Sequence, residues 1–365
     1  IKVKKEFIGY LGYKDSKYDT LLDFYEPGIT VEKLDKIFIE LRDAIVNLLN
    51  KIKNSETKIN DSMFKKNFKK EEQEEFSKFV LNRMEYDFEA GRLDESTHPF
   101  TIDFGKKDVR ITTSYNETEF RSALFSCIHE GGHAIYEQDI PEELNGTMLA
   151  TGTSMGIHES QSRFYENLIG RSKEFWTYFY PKLQKRFSQF DGVSLEEFYK
   201  AMNIVEPSLI RVEADELTYS LHVIIRYEIE KQIINEDIDI DDLPKLWNQK
   251  YKEYLGIEPD NDKEGILQDM HWSGGDFGYF PSYALGNIYG AQFLNTMRKD
   301  IKDLDEQIKQ GNLSVIHEWL KENIHKHGAV YEPENLIKMV TGEKPSAKYF
   351  IDYLNDKYSE IYNLK

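Results

Sequence analysis

Apolar residues recur along most of this chain at steps of three and four. Leu34, Ile37, Phe38, Leu41, Ile45, Leu48, Leu49 and Ile52 mark one helix face. Thr30 suits its N-cap, just after the Glu26-Pro27-Gly28 turn. Phe76, Phe79, Val80, Met84 and Phe88 define a second amphipathic helix, with Gly91 as its stop signal. Between the two, residues 51–70 are rich in Lys and Asn and poor in apolar side chains, the pattern of an exposed loop. The period then changes. Residues 99–104 and 109–115 are β-prone and flank Gly105, so a hairpin is expected there. Helical spacing resumes near Glu117 and continues to the end, with capping-box spacing from Ser194 to Glu197. No repeat, low-complexity tract or linker divides the chain. The expected fold is mostly α, one domain over residues 1–365, with a small sheet placed just before the chemistry.

Composition narrows the function. Apolar residues are 40% of the 365, enough for a large core. A formal net charge of -18 opposes a phosphate backbone and argues against nucleic acid as a partner. No run approaches the roughly 18 apolar residues of a membrane span. The single cysteine, Cys127, permits no intramolecular disulfide and fits a reducing compartment. The first residues lack the apolar stretch of a signal peptide, so a cytoplasmic protein is expected. The chain starts at Ile1 rather than Met, which reads as a fragment or a processed form.

The chemistry centres on His129-Glu130-Gly131-Gly132-His133. Positions i and i+4 of a helix share a face, so the two imidazoles can bind one tetrahedral Zn²⁺. Glu130 projects to the side, where it can act on a metal-activated water without ligating the ion. Two adjacent glycines each cost about 1 kcal/mol against Ala in a helix interior. They suit a place where a backbone or a substrate passes close by. A catalytic zinc needs a third protein ligand and one open position. Glu159 and its neighbour His158 both qualify, and spacing does not separate them. Cys127, two positions before His129, points to roughly the opposite helix face and is read as a small buried residue.

These residues resemble a known family. His129 to His133 followed by His158-Glu159-Ser160-Gln161 is similar to the thermostable carboxypeptidase family of zinc metallopeptidases, family M32. Three more segments carry the resemblance: Asp108 to Thr112 (Asp-x-Arg-x-Thr), Ile210 to Asp215 (Ile-Arg-x-x-Ala-Asp) and Gly265 to Trp272 (Gly-x-x-Gln-Asp-x-His-Trp). It implies a helical fold with a deep substrate groove, single-residue removal from peptide C-termini with broad specificity, Zn²⁺ or Co²⁺ as the metal, and a homodimer. It also implies Glu159 rather than His158 as the third ligand. Family members usually begin with further helices ahead of the point where this chain starts.

The remaining parts follow from what peptide hydrolysis needs. Glu130 is the expected general base. Tyr279 is the expected donor to the tetrahedral intermediate, and His271 can share that task. A free C-terminal carboxylate calls for an arginine: Arg211 first, Arg110 second. An ion pair of Arg211 with Asp215 at i+4 is the structural alternative. Asp108, Asp215 and Asp269 are equally suited to orienting imidazoles or to capping roles. His222 reads as a satisfied core residue, and His317, His325 and His327 as exposed. Two other functions compete: a metal-dependent endopeptidase or peptidyl-dipeptidase with the same site, and a non-catalytic peptide-binding fragment.

Overall fold

A computed structural model of the chain describes residues 1–236 and 238–364. In chain order its elements are α1 (Lys2–Leu11), α2 (Asp19–Leu22), α3 (Val31–Lys53), α4 (Lys70–Arg83), β1 (Leu93–Glu95), β2 (Thr101–Asp103), β3 (Val109–Thr113), α5 (Phe120–Gln138) and α6 (Met155–Arg163). There follow α7 (Lys173–Arg186), α8 (Leu195–Met202), α9 (Tyr219–Asn235), α10 (Leu243–Tyr254), α11 (His271–Gly274) and α12 (Pro281–Asp300). The last are α13 (Leu304–Lys309), α14 (Ser314–Asn323), α15 (Pro333–Thr341) and α16 (Lys348–Tyr362). The fold is mostly helical with one small sheet, and buried apolar residues from Ile8 to Tyr362 form one core cluster. Among the described residues, no helix is long and apolar enough to cross a membrane.

Local sequence explains most of these elements. In α3, Leu34, Phe38, Leu41, Ile45, Leu48, Leu49 and Ile52 are buried, and Thr30 Oγ1 accepts from the Lys33 N–H as N-cap. The capping box at Ser194 opens α8 as its spacing predicts. The second helix differs from expectation. It ends at Arg83, and Glu85 takes a φ of 71°, outside the helical region. Phe88 therefore lies beyond the helix, edge-on to Tyr86 at 4.8 Å. Gly91 is not its cap: a Cβ there would sit 2.0 Å from the Val109 carbonyl oxygen. The 51–70 stretch also differs, because Phe64 and Phe68 are fully buried against Phe120 and Phe190. Two isolated aromatics in a polar run anchor the loop without giving it a period.

The expected hairpin forms from β2 and β3, antiparallel, with Thr101 opposite Ile111. A third strand, β1, pairs with β3 in parallel, so the order is β1-β3-β2. Its three residues, Leu-Asp-Glu, have no β character of their own, and pairing alone makes them a strand. The sheet packs on α5, α5 packs on α6, and α12 lies along α6. The paired glycines permit this: a Cβ on Gly132 would fall 2.6 Å from the Gln161 carbonyl oxygen, and one on Gly131 2.5 Å from Leu81. It is the backbone of α6 and a side chain of α4 that pass close by.

Candidate metal centre and substrate face

His129 and His133 stand one turn apart on α5, with ring centroids 4.9 Å apart. Glu159 enters from α6, whose N-terminus is fixed three times over. Ser154 Oγ accepts from the Ile157 N–H, Glu26 Oε2 from the Gly156 N–H, and the Tyr25 carbonyl from the Met155 N–H, all at 3.0 Å. One ligand atom from each of His129, His133 and Glu159 lies within 4.8 Å of the others. Glu159 Oε2 is 3.4 Å from His133 Nε2 and 3.8 Å from His129 Nε2. Two atoms bound about 2.0–2.1 Å from one tetrahedral ion are about 3.4 Å apart, so the donor set and spacing fit a divalent cation such as zinc.

The charges around the cluster are balanced. Burial alone would raise Glu159, but Arg163, whose Nε donates to Glu159 Oε1 at 2.7 Å, and the two imidazoles hold it well below the usual carboxylate range. Burial disfavours a charged His129, yet Glu159 and Glu166 outweigh it and raise its pKa. His129 Nδ1 meets Glu166 Oε2 at 2.8 Å. Glu166 lies on the π-helical segment Phe164–Ile169 that continues α6, a distortion frequent at functional sites. Burial lowers His133, and Glu159 does not fully offset it. His158 does not join the ligand cluster. Its Nδ1 lies 2.7 Å from His133 Nδ1, and its Nε2 lies 2.7 Å from Glu137 Oε1. Burial would raise Glu137, but the hydrogen bond and charge of His158 keep it below its ordinary value.

Glu130 is buried beside these ligands, and Thr101 Oγ1 on β2 donates to its Oε2 at 2.6 Å. This is what the small sheet contributes. Arg110 belongs to the other face. It pairs across the sheet with Ile102, not Thr101, so alternation points it away from Glu130. It is exposed, bonded through two nitrogens to Asp108, with its guanidinium over Phe104.

A second group is linked to the cluster through Tyr219 and Arg163. Arg211 is buried. Its Nε and Nη2 donate to Asp269 Oδ1 at 3.0 and 2.8 Å, and its Nη1 to Tyr219 Oη at 2.9 Å. Asp269 thus replaces Asp215 as the partner. Asp215 instead accepts from the Thr218 N–H and hydroxyl and the Glu206 N–H, and burial pushes it up to about 6. Three of the five guanidinium N–H groups are used, so two remain. Arg163 lies over the Tyr219 ring at 4.1 Å, so Tyr219 joins Arg211 to the arginine that holds Glu159. His271 Nε2 is 3.2 Å from Tyr283 Oη, and its buried Nδ1 has no hydrogen-bond partner among the described residues. Burial and the Arg211 charge press His271 down to about 4, so the imidazole is neutral at neutral pH. The Tyr279 ring lies 5.4 Å from His271, and burial and the nearby Glu159 charge raise its pKa, keeping the phenol protonated.

Both His271 and Tyr279 depend on a residue that no motif marks. Glu230 of α9 is fully buried and accepts from Trp272 Nε1 at 2.5 Å, Tyr18 Oη at 2.5 Å and the Gly278 N–H at 2.8 Å. It pins both ends of the loop between His271 and Tyr279. Spacing arguments also pass over Glu137, Arg163, Glu166 and Thr101. Asp108, Asp215 and Asp269 make no hydrogen bond to an imidazole among the described residues; beside the cluster Glu166 and Glu137 do, and away from it Asp139 bonds His317 and His325. His222 is a core residue, bonded to Tyr251. His325 is buried between Asp139 and Gln161 rather than exposed, and His317 and His327 are half-buried.

Two imidazoles one turn apart and a carboxylate from a second helix form a metal donor set, and with a glutamate beside the first imidazole they are the arrangement of a helical metallopeptidase. The chain belongs to the Carboxypeptidase Taq (M32) metallopeptidase family, whose model matches residues 1–358. It is 53% identical over 365 residues to carboxypeptidase 1 of Bacillus subtilis, covering 100% of this chain and 73% of that protein. It is 44% identical over 345 residues to thermostable carboxypeptidase 1 of Thermus thermophilus, covering 94% and 68%. The crystal structure of an M32 carboxypeptidase from Deinococcus radiodurans R1 superposes with a TM-score of 0.97 at 37% identity, over 100% of this chain and 73% of that one.

Proposed function

We propose that this chain is a zinc metallocarboxypeptidase that removes single residues from the free C-termini of peptides, with broad specificity, and acts as a homodimer in the cytoplasm. The convergence of His129 Nε2, His133 Nε2 and Glu159 Oε2 on one point carries the reading. A cation held there, Zn²⁺ or Co²⁺, supplies Lewis acidity and lowers the pKa of a water to about 7. Glu130 takes the proton from the attacking water and passes one to the leaving amine. Thr101 donates to Glu130 Oε2 and holds the carboxylate in place for both transfers. The phenol of Tyr279 and the neutral imidazole of His271 are the donors to the developing oxyanion. Arg211 presents its two remaining N–H groups to the substrate's terminal carboxylate.

One observation favours a second reading. Arg211 is already engaged by Asp269 and Tyr219, as a purely structural arginine would be, and without a carboxylate grip the same centre would cut internally. Mass spectrometry of a peptide ladder, with free and amidated ends, decides between them. Sequential loss of single C-terminal residues from free-ended peptides alone is expected. Internal fragments from both kinds would establish the endopeptidase, and no cleavage by metal-loaded protein the non-catalytic alternative.

A further inference from the structure

His129, His133 and Glu137 form one row on α5, at i, i+4 and i+8. The two imidazoles are backed differently. His129 Nδ1 meets a carboxylate directly, Glu166 Oε2 at 2.8 Å. His133 Nδ1 meets a second imidazole, His158 Nδ1 at 2.7 Å, and only that ring reaches a carboxylate, Glu137 Oε1 at 2.7 Å. We infer that His158 and Glu137 are positioning residues, an outer relay that fixes the ring and tautomer of His133 and so sets how tightly the centre holds its metal. This rests on the metal reading above.

The direction of the relay follows from its ends. The Glu137 carboxylate only accepts; the Gly152 N–H and Thr151 hydroxyl also point at its Oε1. His158 Nε2 is therefore the donor. With His158 neutral its one N–H is on Nε2, so its Nδ1 carries a lone pair and accepts from His133 Nδ1. His133 then has its own lone pair on Nε2, the atom 3.4 Å from Glu159 Oε2. Any reversal of the relay would place a proton on the ligating nitrogen.

The site holds His158 in this pose. Its ring is flanked by His133 at 4.8 Å and Tyr136 at 5.0 Å. A Cβ on Gly152 would come 2.8 Å from both His158 Cδ2 and Tyr136 Cε1, so that glycine leaves the room the ring occupies. Among the described residues, His158 Nδ1 is the hydrogen-bond partner of His133 Nδ1. By contrast, the His129 side has Glu166 anchored by Arg163 at 3.2 Å and needs no intermediary.

Competition titration of metal-stripped full chain against a chromophoric zinc chelator tests this, with the visible spectrum of the Co²⁺ form as a second readout. Outer-shell changes of this kind weaken metal affinity about 10–100-fold. His158→Ala is expected to fall in that range and to shift the Co²⁺ bands. Glu137→Gln retains a carbonyl that can accept from His158 Nε2 and should weaken zinc less. Urea unfolding of the stripped proteins controls for folding. Should His158→Ala not fold, Glu137→Gln decides alone: weaker zinc with an unchanged unfolding midpoint supports the relay. Wild-type zinc affinity and an unshifted Co²⁺ spectrum in folded variants would overturn it. A wild-type chain that takes up no zinc would instead refute the metal reading itself.

Discussion

The metal side and the substrate side of this site are built in opposite ways. On the metal side, His129 and His133 stand on the 19-residue helix α5, and Glu159 on α6, which packs against α5 across Gly132. On the substrate side, Arg211 begins a three-residue 3₁₀ turn, His271 begins the four-residue α11, and Tyr279 lies in the loop after it. The backbones of two packed helices place the first set, and Glu166, His158 and Arg163 only orient its side chains. The second is fixed by side chains: Asp269 between Arg211 and Arg226, Gln268 on the Arg211 N–H, and Glu230 under the 272–278 loop. A metal centre needs positions true to fractions of an ångström, which rigid elements supply. Short segments tied by hydrogen bonds are the part of a fold that can move, which suits the varied peptides of the proposed activity.

If the two sides are separable, changes should affect them separately. Glu130→Gln, on the metal side but outside the ligand set, is expected to lower turnover about 10² to 10⁴-fold while zinc affinity stays at the wild-type value. Steady-state kinetics beside a zinc titration would show this, and near-normal turnover would remove Glu130 from the mechanism. Arg211→Ala is expected to lower kcat/KM about tenfold to 150-fold on free-ended peptides, the worth of a charge-assisted hydrogen bond, with little effect on amidated ones. Equal losses on both would make Arg211 a structural partner of Asp269.

The same contrast explains what the sequence reveals. The i, i+4 histidines with Glu130 between them are readable because a helix converts spacing into geometry. The two glycines are readable as a close approach for the same reason, and the hairpin that brings Thr101 to Glu130 has its own period. Spacing alone leaves His158 and Glu159 undecided, because adjacent residues differ by about 100° around a helix, and it is the packing of α6 that brings Glu159 into one cluster with His129 and His133. Asp269 and Glu230 reach their partners across 58 and 42 positions. No local pattern encodes such pairs, so the second side is found only in the fold. The α4 terminus escapes for a different reason: Phe88 fits the helical period, and one positive φ at Glu85 overrides it.

Glu230 gives a smaller, pH-dependent effect. Burial pushes it up to about 7, against an ordinary glutamate value near 4.3. Between these values the folded chain holds more protons at Glu230 than the unfolded chain, so its contribution to stability falls as pH rises from about 4.3 through 7. Urea unfolding of the metal-stripped protein across that range is expected to show this decline, with a shallower one in Glu230→Gln. Zinc affinity of the variant should match wild type, while turnover drops through the loosened His271–Tyr279 loop. Identical pH profiles for the two proteins would count against the buried charge.

The most direct test of the account is calorimetric titration of zinc into the metal-stripped chain, for wild type and for His129→Ala, His133→Ala and Glu159→Gln. One tight equivalent per chain is expected in the wild type and a large loss of affinity in each variant, with stripped proteins that unfold like wild type. One tight equivalent retained in all three variants would mean that the metal lies elsewhere, and would contradict it.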